Sequence, residues 1–480
     1  MLWRGFTTQL NLHPGMSGIR LLSVGQEALL VRTALADAAQ RTLDLQYYVV
    51  APDATATLLL YRALRAAQRG VRVRLLIDDL DVGDRDSDLA LLAAHPNIQV
   101  RVFNPFSTRS AAGLSRALDY LSDGARLNRR MHNKLWIADN AVALVGGRNL
   151  GDAYFNADTG SNFADLDVLA AGPVVASASR SFDAYWNSEW SVPIEAFTGH
   201  APGAQDLEQL TSHMAARAAE FRDSDYGRAL QATDLGALVH TGRLALIPAH
   251  AWVLYDSPAK LEAQTSEQEG HVLVNLRQTV ESTQSELVLV SPYFVPHERG
   301  VGMLCQLSRR GVRVRVLTNS LASTDVAAVY AGYARYRPRL LGCGVTLSEL
   351  RPSSAKRDKS HQGSSSGVSL HAKAIMVDGK FVLIGSMNLD PRSRLSNTEI
   401  AVLIDSKELG LDLESWLDQA TSLDNSFRPE LTTAGDPNSP VRWVSRQDDQ
   451  LQHYTSEPLA SWWRRMISGL LGVLVPEGLL

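Results

Sequence analysis

Two stretches of this 480-residue chain carry the same polar residues at the same spacing. The first, RRMHNKLWIADNAVALVGGRN, runs from Arg129 to Asn149, and the second, SLHAKAIMVDGKFVLIGSMN, from Ser369 to Asn388. His132, Lys134, Asp139, Gly146 and Asn149 align with His371, Lys373, Asp378, Gly385 and Asn388. Each copy reads His-x-Lys, four intervening residues to Asp, six to Gly and two to Asn. Brought together, the copies would gather two imidazoles and two ammonium groups in one pocket. Such a pocket suits a phosphoryl group: the lysines neutralise its oxygens, while the imidazoles attack phosphorus or move protons.

A metal is the rival use of paired histidines. Two adjacent lysines would repel a cation, and no further His or Cys lies at ligand spacing, so no metal and no cofactor is expected. A nucleophilic histidine also needs an acceptor on its other nitrogen. Downstream of the motifs stand Asp167, in FADLDVLAAG, and Glu399, in SNTEIAVLI, both at the head of an apolar strand in the same register. Asp165, two residues before Asp167 and on the same strand face, competes for the first role. Asp139 and Asp378 are expected to fix turns rather than to react.

The elements that must position these groups are legible as patterns. HNKLWIAD and HAKAIMVD read as strands ending in tight hairpin turns at Asp139-Asn140 and Asp378-Gly379, with each His and Lys on one strand face. Upstream, GQEALLVRTALADAAQ has helical spacing and TLDLQYYVV reads as a buried strand. A helix opening near Asp53 and stopping at Gly70, then the strand VRVRLLIDD, complete the run. The order returns as HVLVNLRQTVESTQ, ELVLVSPYF, ERGVGMLCQLSRRG and VRVRVLTNS. Leu43 maps to Leu287, Gly70 to Gly311 and His132 to His371, so the chain is an internal duplication with a period of about 240 residues. Helix–strand alternation predicts an α/β fold with parallel pairs covered by helices.

The expected organisation is a first lobe over 1–215, a connection over 216–250, a second lobe over 251–445 and an amphipathic tail over 446–480. Arg351–Gly367 reads as a solvated basic loop and as a lip over a phosphate site. In the tail, Trp462, Trp463, Arg464 and Arg465 precede a short apolar run that is too short to span a bilayer but suits an interfacial segment; the alternative is a helix docked on its own core. The opening MLWRGFTTQLNLHPG has no sustained apolar run, so no secretory leader is expected in it. A net charge of −4 argues against wholesale binding of nucleic acid. Two cysteines, Cys305 and Cys343, suggest neither a disulfide framework nor a metal cluster, so a reducing compartment is expected.

The doubled His-x-Lys-x4-Asp motif resembles that of the phospholipase D superfamily over about residues 20–445. GGRNLGDAYF, FADLDVLAAGP and the Pro-Glu-Gly-Leu-Leu terminus are similar to the bacterial cardiolipin synthase branch, type C. The resemblance implies two duplicated lobes, each a mixed sheet flanked by helices, with the active site between them. It implies exchange through a phosphohistidine, without metal: His132 as nucleophile, His371 as acid and base, and Asp167 and Glu399 orienting the imidazoles. Lys134, Lys373, Asn149 and Asn388 would hold phosphate oxygens, with Ser386 and Gly147 in support. The first copy departs from the common Gly-Ser, having Gly146-Gly147 where the second has Gly385-Ser386. The implied activity is transfer of a phosphatidyl group from phosphatidylglycerol or phosphatidylethanolamine onto phosphatidylglycerol, by a cytoplasmic chain peripheral on the inner face of the cell membrane. Anionic and zwitterionic phospholipids would be its partners, with no nucleic acid expected. Hydrolysis to phosphatidic acid is the alternative. A nuclease fits the acidic charge poorly, and a dead adaptor fits poorly with all four His and Lys residues present.

Overall fold

A computed structural model describes residues 6, 10–79, 86–106, 126–197, 203–261, 272–352 and 367–474. In the first half the strands are β1 (Ser17–Leu22), β2 (Thr42–Tyr47), β3 (Arg72–Asp78), β4 (Ile98–Phe103), β5 (Leu135–Ala138), β6 (Val142–Gly146), β7 (Ser161–Ala164), β8 (Asp167–Ala171) and β9 (Ser191–Pro193). The second half supplies β10 (Ile247–Tyr255), β11 (Glu286–Val290), β12 (Arg313–Asn319), β13 (Thr346–Leu350), β14 (Gly367–Leu370), β15 (Ala374–Val377), β16 (Phe381–Gly385) and β17 (Ile400–Asp405), followed by β18 (Ser426–Leu431), β19 (Val441–Gln447) and β20 (Gln450–Tyr454). β2, β3 and β4 pair in parallel, as do β11, β12 and β13. The hairpins β5–β6 and β15–β16 then lie antiparallel beside β2 and β11. This is a mixed sheet made twice, as duplication requires.

The hairpin turns show why Asp-Asn and Asp-Gly stand there. Asp139 and Asn140 both have positive φ (54° and 51°), as do Asp378 (53°) and Gly379 (64°), which a two-residue turn of the primed type demands. Each turn aspartate also clasps the start of the neighbouring strand. Asp139 accepts from the amides of Gln40, Arg41 and Thr42, and Asp378 from those of Gln284, Ser285 and Glu286. The helix Ala54–Gln68 is capped by Asp53, whose carboxylate accepts from the Ala56 amide.

β1 and β10 pair antiparallel and join the two sheets edge to edge. β7 and β14 pair in parallel in a small ribbon built from both halves. The sheets' inner faces share a core in which Leu135, Ile137, Val145 and Val168 meet Val288, Met376, Ile384 and Val402, while separate cores lie under the outer helices. Between the halves, helices Ala204–Asp223, Asp225–Gln231 and Leu235–His240 lay Met214, Leu230 and Val239 on the first lobe's outer core.

One expectation is corrected. Cys305, in helix His297–Arg309, and Cys343, just after helix Ala327–Gly342, form a disulfide. Thirty-eight residues separate them, and helix packing brings their Cα atoms to 5.4 Å. The cysteine-based argument for a reducing compartment therefore falls. The basic loop's residues 353–366 and the Pro-Glu-Gly-Leu-Leu terminus lie outside the described residues.

Candidate active site

Each His-x-Lys segment lies just ahead of its strand rather than inside it, and backbone hydrogen bonds lash it to the opposite lobe. The His132 amide donates to the Thr398 carbonyl (3.0 Å), and the Thr398 amide to the Arg130 carbonyl (2.9 Å). In the other direction the His371 and Ala372 amides both donate to the Ala164 carbonyl (2.9 and 3.0 Å). The residues after Thr398 and Ala164 are Glu399 and Asp165, so the same bonds that seat each histidine deliver a carboxylate to it.

The carboxylates are thus exchanged between lobes. His132 Nδ1 lies 3.0 Å from Glu399 Oε2, and His371 Nδ1 lies 2.6 Å from Asp165 Oδ2. With Nδ1–H given to the carboxylate, each ring keeps Nε2 as a free lone pair. All four groups are buried, the histidines at 7% and 8% exposure, just enough to be reached from outside. Tyr48 stands edge-on to His132, and Tyr154 and Phe163 pack against His371. Lys134 Nζ donates to the His132 carbonyl (2.7 Å), and Lys373 Nζ to the His371 carbonyl, so both ammonium groups are folded back beside their own histidines.

Asp167, expected from the sequence to orient an imidazole, does not. It is fully buried between Arg32 and Arg148, at 2.9 and 3.2 Å, and anchors helix Gly25–Ala38 to the sheet. The physical reason is a break in the strand. β7 ends at Ala164 and β8 begins at Asp167, so Asp165 sits at the junction between the ribbon shared with the second lobe and the first lobe's own sheet. Two buried guanidiniums require a nearby carboxylate, and Asp167 satisfies that demand.

The unequal Gly-Gly and Gly-Ser pairs follow from the unequal carboxylates. A Cβ at Gly147 would come within 2.1 Å of Asp165 Oδ1, so only glycine leaves room for that side chain. At Ser386 the hydroxyl donates to Glu399 Oε2 and accepts from the Ile400 amide. Glu399 also accepts from Ser393 Oγ at 2.7 Å, a residue that belongs to neither motif. Asn149 is partly committed to the protein: Oδ1 accepts from the Val49 amide and Nδ2 donates to the Tyr154 hydroxyl. In Asn388, by contrast, Oδ1 is buried without a partner.

Burial and the two lysines set the electrostatics. The His132 pKa is lowered well below the ordinary value by burial and then by Lys134, Lys373 and His371. His371 is lowered by burial and Lys373, with Asp165 opposing. These mutual effects place both imidazoles in one electrostatic pocket. Burial pushes Glu399 up to about 7 against the pull of Lys134, and lowers Lys373 to about 8. Burial also acts to raise Asp165, but His371, Lys373 and Arg148 outweigh it and hold the carboxyl well below its usual range. Among the described residues no group of three or more His, Cys, Asp or Glu is placed to hold a metal ion.

A duplicated mixed α/β fold whose halves each lend an imidazole and an ammonium group to one pocket defines a phospholipase D-like chain. It belongs to the family described as cardiolipin synthase, PLD-like domain, which matches residues 33–186 and 276–421, one stretch in each lobe. Cardiolipin synthase C of Escherichia coli (strain K12) is 40% identical over 477 residues, covering 98% of this chain and 97% of that one. An uncharacterised protein of Helicobacter pylori (strain ATCC 700392 / 26695) is 32% identical over 98% of this chain and 91% of its own. The crystal structure of phosphatidylserine synthase from Haemophilus influenzae Rd KW20 shares the fold, with TM-score 0.58 at 13% identity over 88% of this chain and 92% of that one.

Proposed function

We propose that this chain is a phosphatidyltransferase that makes cardiolipin, with phosphatidylglycerol or phosphatidylethanolamine as donor and phosphatidylglycerol as acceptor. The observation that carries the mechanism is the crossed pairing of His132 with Glu399 and His371 with Asp165, which gives two imidazoles unequal surroundings. His132 is the more strongly held neutral, as a nucleophile must be. The His371 pKa is lowered less, because the ionised Asp165 opposes burial and Lys373, so of the two imidazoles it is the one more readily protonated to serve as general acid.

In the first step His132 Nε2 attacks phosphorus while His371 passes its proton to the departing glycerol or ethanolamine oxygen. In the second, His371 takes the proton of the acceptor's hydroxyl, whose oxygen displaces His132 from phosphorus. Lys134 and Lys373 offset the charge that builds on the phosphoryl oxygens.

We place the enzyme at a membrane surface through the helix Trp462–Leu474. Trp462, Trp463, Met466, Ile467 and Leu470 are all exposed, while Ser468 is buried and Gly472 approaches Ala331 of the neighbouring helix. The small residues face the protein and the large apolar ones face outward, the reverse of a helix docked on its own core. Among the described residues no helix is long and apolar enough to cross a membrane.

The test is incubation of the purified chain with labelled phosphatidylglycerol, with and without phosphatidylethanolamine, and identification of the lipid products. Labelled cardiolipin is expected, and phosphatidic acid as the sole product would replace transfer with hydrolysis.

A further inference from the structure

Outside the two motifs, a short helix bonded to the reaction centre carries a cation. Arg392 lies on the short helix Pro391–Leu395, four residues after Asn388. That helix is bolted to the reaction centre by its next residue: Ser393 Oγ accepts from the Asn388 amide (3.1 Å) and donates to Glu399 Oε1 (2.7 Å), while Lys260 Nζ donates to the Ser393 carbonyl (2.9 Å). Arg392 itself is partly buried, and its Nε is buried without a hydrogen-bond partner. Among the described residues no carboxylate or carbonyl accepts a hydrogen bond from its guanidinium, although its charge acts on the buried Asp390 two residues earlier. The other buried arginines are committed: Arg32 and Arg148 to Asp167, Arg130 to Asp78, and Arg337 to Glu349 and Glu457. The charge of Arg392 nevertheless reaches His132, whose proton affinity it helps to lower.

The duplication supplies the second half of the argument. The groups assigned to the reacting phosphate occur twice, as His, Lys and Asn in each motif. The residue four positions after Asn149 is Ala153, so the first half has no counterpart of Arg392. A cation present once fits a ligand group present once. In transfer between two phospholipids, the reacting phosphodiester already has its two-sided cradle, and the remaining anion is the phosphate of the acceptor. An arginine beside the reaction centre whose guanidinium makes no hydrogen bond to a protein carboxylate has the planar donor fork that such a phosphate takes.

We propose that Arg392 binds the phosphate of the acceptor phospholipid and so presents the acceptor's free hydroxyl to the phosphohistidine. The assignment rests on the transferase reading above. It makes the chain selective for an alcohol that carries an anionic phosphate a few bonds from its hydroxyl, over a neutral alcohol or water.

The experiment is a competition on the full chain. Vesicles of labelled phosphatidylglycerol are supplied with ethanol, and the ratio of phosphatidylethanol to cardiolipin is measured for wild type, Arg392→Gln and Arg392→Lys. The ratio does not depend on how much of each preparation is folded. It is expected to rise at least tenfold in Arg392→Gln and to lie between the two in Arg392→Lys, which keeps the charge but not the fork. An unchanged ratio in Arg392→Gln, whether both products fall or neither does, overturns the proposal alone. A wild type that forms phosphatidylethanol but no cardiolipin overturns the reading of phosphatidylglycerol as acceptor, and the proposal with it.

Discussion

Glu399 reaches across the lobe boundary to His132: its Oε2 lies 3.0 Å from the imidazole Nδ1, although 267 residues separate the two along the chain. Each imidazole takes its carboxylate from the opposite lobe, so neither half is expected to react alone. Glu399→Gln keeps the shape but removes the charge that fixes and stabilises the imidazole, and kcat is expected to fall by about 10²–10⁴. The same variant should be the more stable protein at neutral and higher pH. Folding raises this carboxyl from 4.5 to about 7, so the native state holds its proton longer than the unfolded chain. Stability from that proton is fully present below pH 4.5 and is lost as pH rises to 7, by roughly 3 kcal/mol. Thermal melts of wild type and variant at pH 5 and pH 8 should therefore diverge at the higher value. Parallel melts would show that Glu399 has an ordinary pKa.

Asp165 and Asp167 are predicted to fail in different ways. Asp165→Asn removes the charge facing His371 and should cut kcat by about 10²-fold or more with little change in melting temperature. Asp167→Asn leaves Arg32 and Arg148 buried without their carboxylate and should cost about 3–5 kcal/mol of stability. Steady-state rates and melting curves on both variants check the pair. An Asp167→Asn protein that melts normally but has lost its activity would reverse the two roles.

Much of this was legible beforehand, and the misreading is instructive. The duplication, the paired His-x-Lys groups and the hairpins at Asp139-Asn140 and Asp378-Gly379 are local patterns whose spacing carries their geometry. The choice between Asp165 and Asp167 is not local. Strict alternation puts both on one face, and only the end of β7 at Ala164 and the demand of Arg32, 135 residues away, separate them. The crossed pairing and the Cys305–Cys343 disulfide depend likewise on packing between distant elements. Ser393 and Arg392 carried no motif of their own and emerge only once their helix is seen against Glu399.

Gly147 offers a sharper test of the same geometry. The second motif has serine at the matching position, so Gly147→Ser would make the copies more alike. The added Cβ would stand 2.1 Å from Asp165 Oδ1, however, and the carboxylate would have to leave His371. Restoring the common residue is thus expected to lower kcat by about 10²-fold, the loss of an oriented acid–base group. Wild-type activity in this variant would mean that Asp165 has room to move without consequence.

The pH dependence should be bell-shaped. Below about 7 Glu399 gains a proton and loses the charge that stabilises the His132 imidazole, so activity should rise with pH through that value. Above about 8 Lys373 loses the charge that offsets the phosphoryl oxygens, so activity should fall. Profiles of kcat/KM locate both limbs, as properties of the coupled site. Lys373→Arg, which stays charged, should reduce the alkaline limb to the part set by Lys134, whose pKa burial also lowers, in whatever activity it retains. An alkaline limb unchanged in that variant would assign it to another group.

The last expectation concerns the helix Trp462–Leu474. Its position is tied to the catalytic lobe: the Arg464 guanidinium donates to the Thr324 carbonyl, and the next residue, Asp325, accepts from the Tyr293 hydroxyl at 2.8 Å. Trp462 and Leu470 are 64% and 56% exposed, so removing their side chains takes little from the folded core. The same side chains would supply apolar area buried at a bilayer interface. Trp462→Ser with Leu470→Ser should therefore weaken sedimentation with phosphatidylglycerol vesicles at least tenfold while leaving the melting temperature within about 2 °C, the scale of a surface substitution of ~0.5 kcal/mol. Activity on lipid in detergent micelles, where no bilayer need be found, should fall far less than activity on vesicles. Equal losses on micelles and vesicles would make the helix a structural strut and leave membrane attachment to another surface.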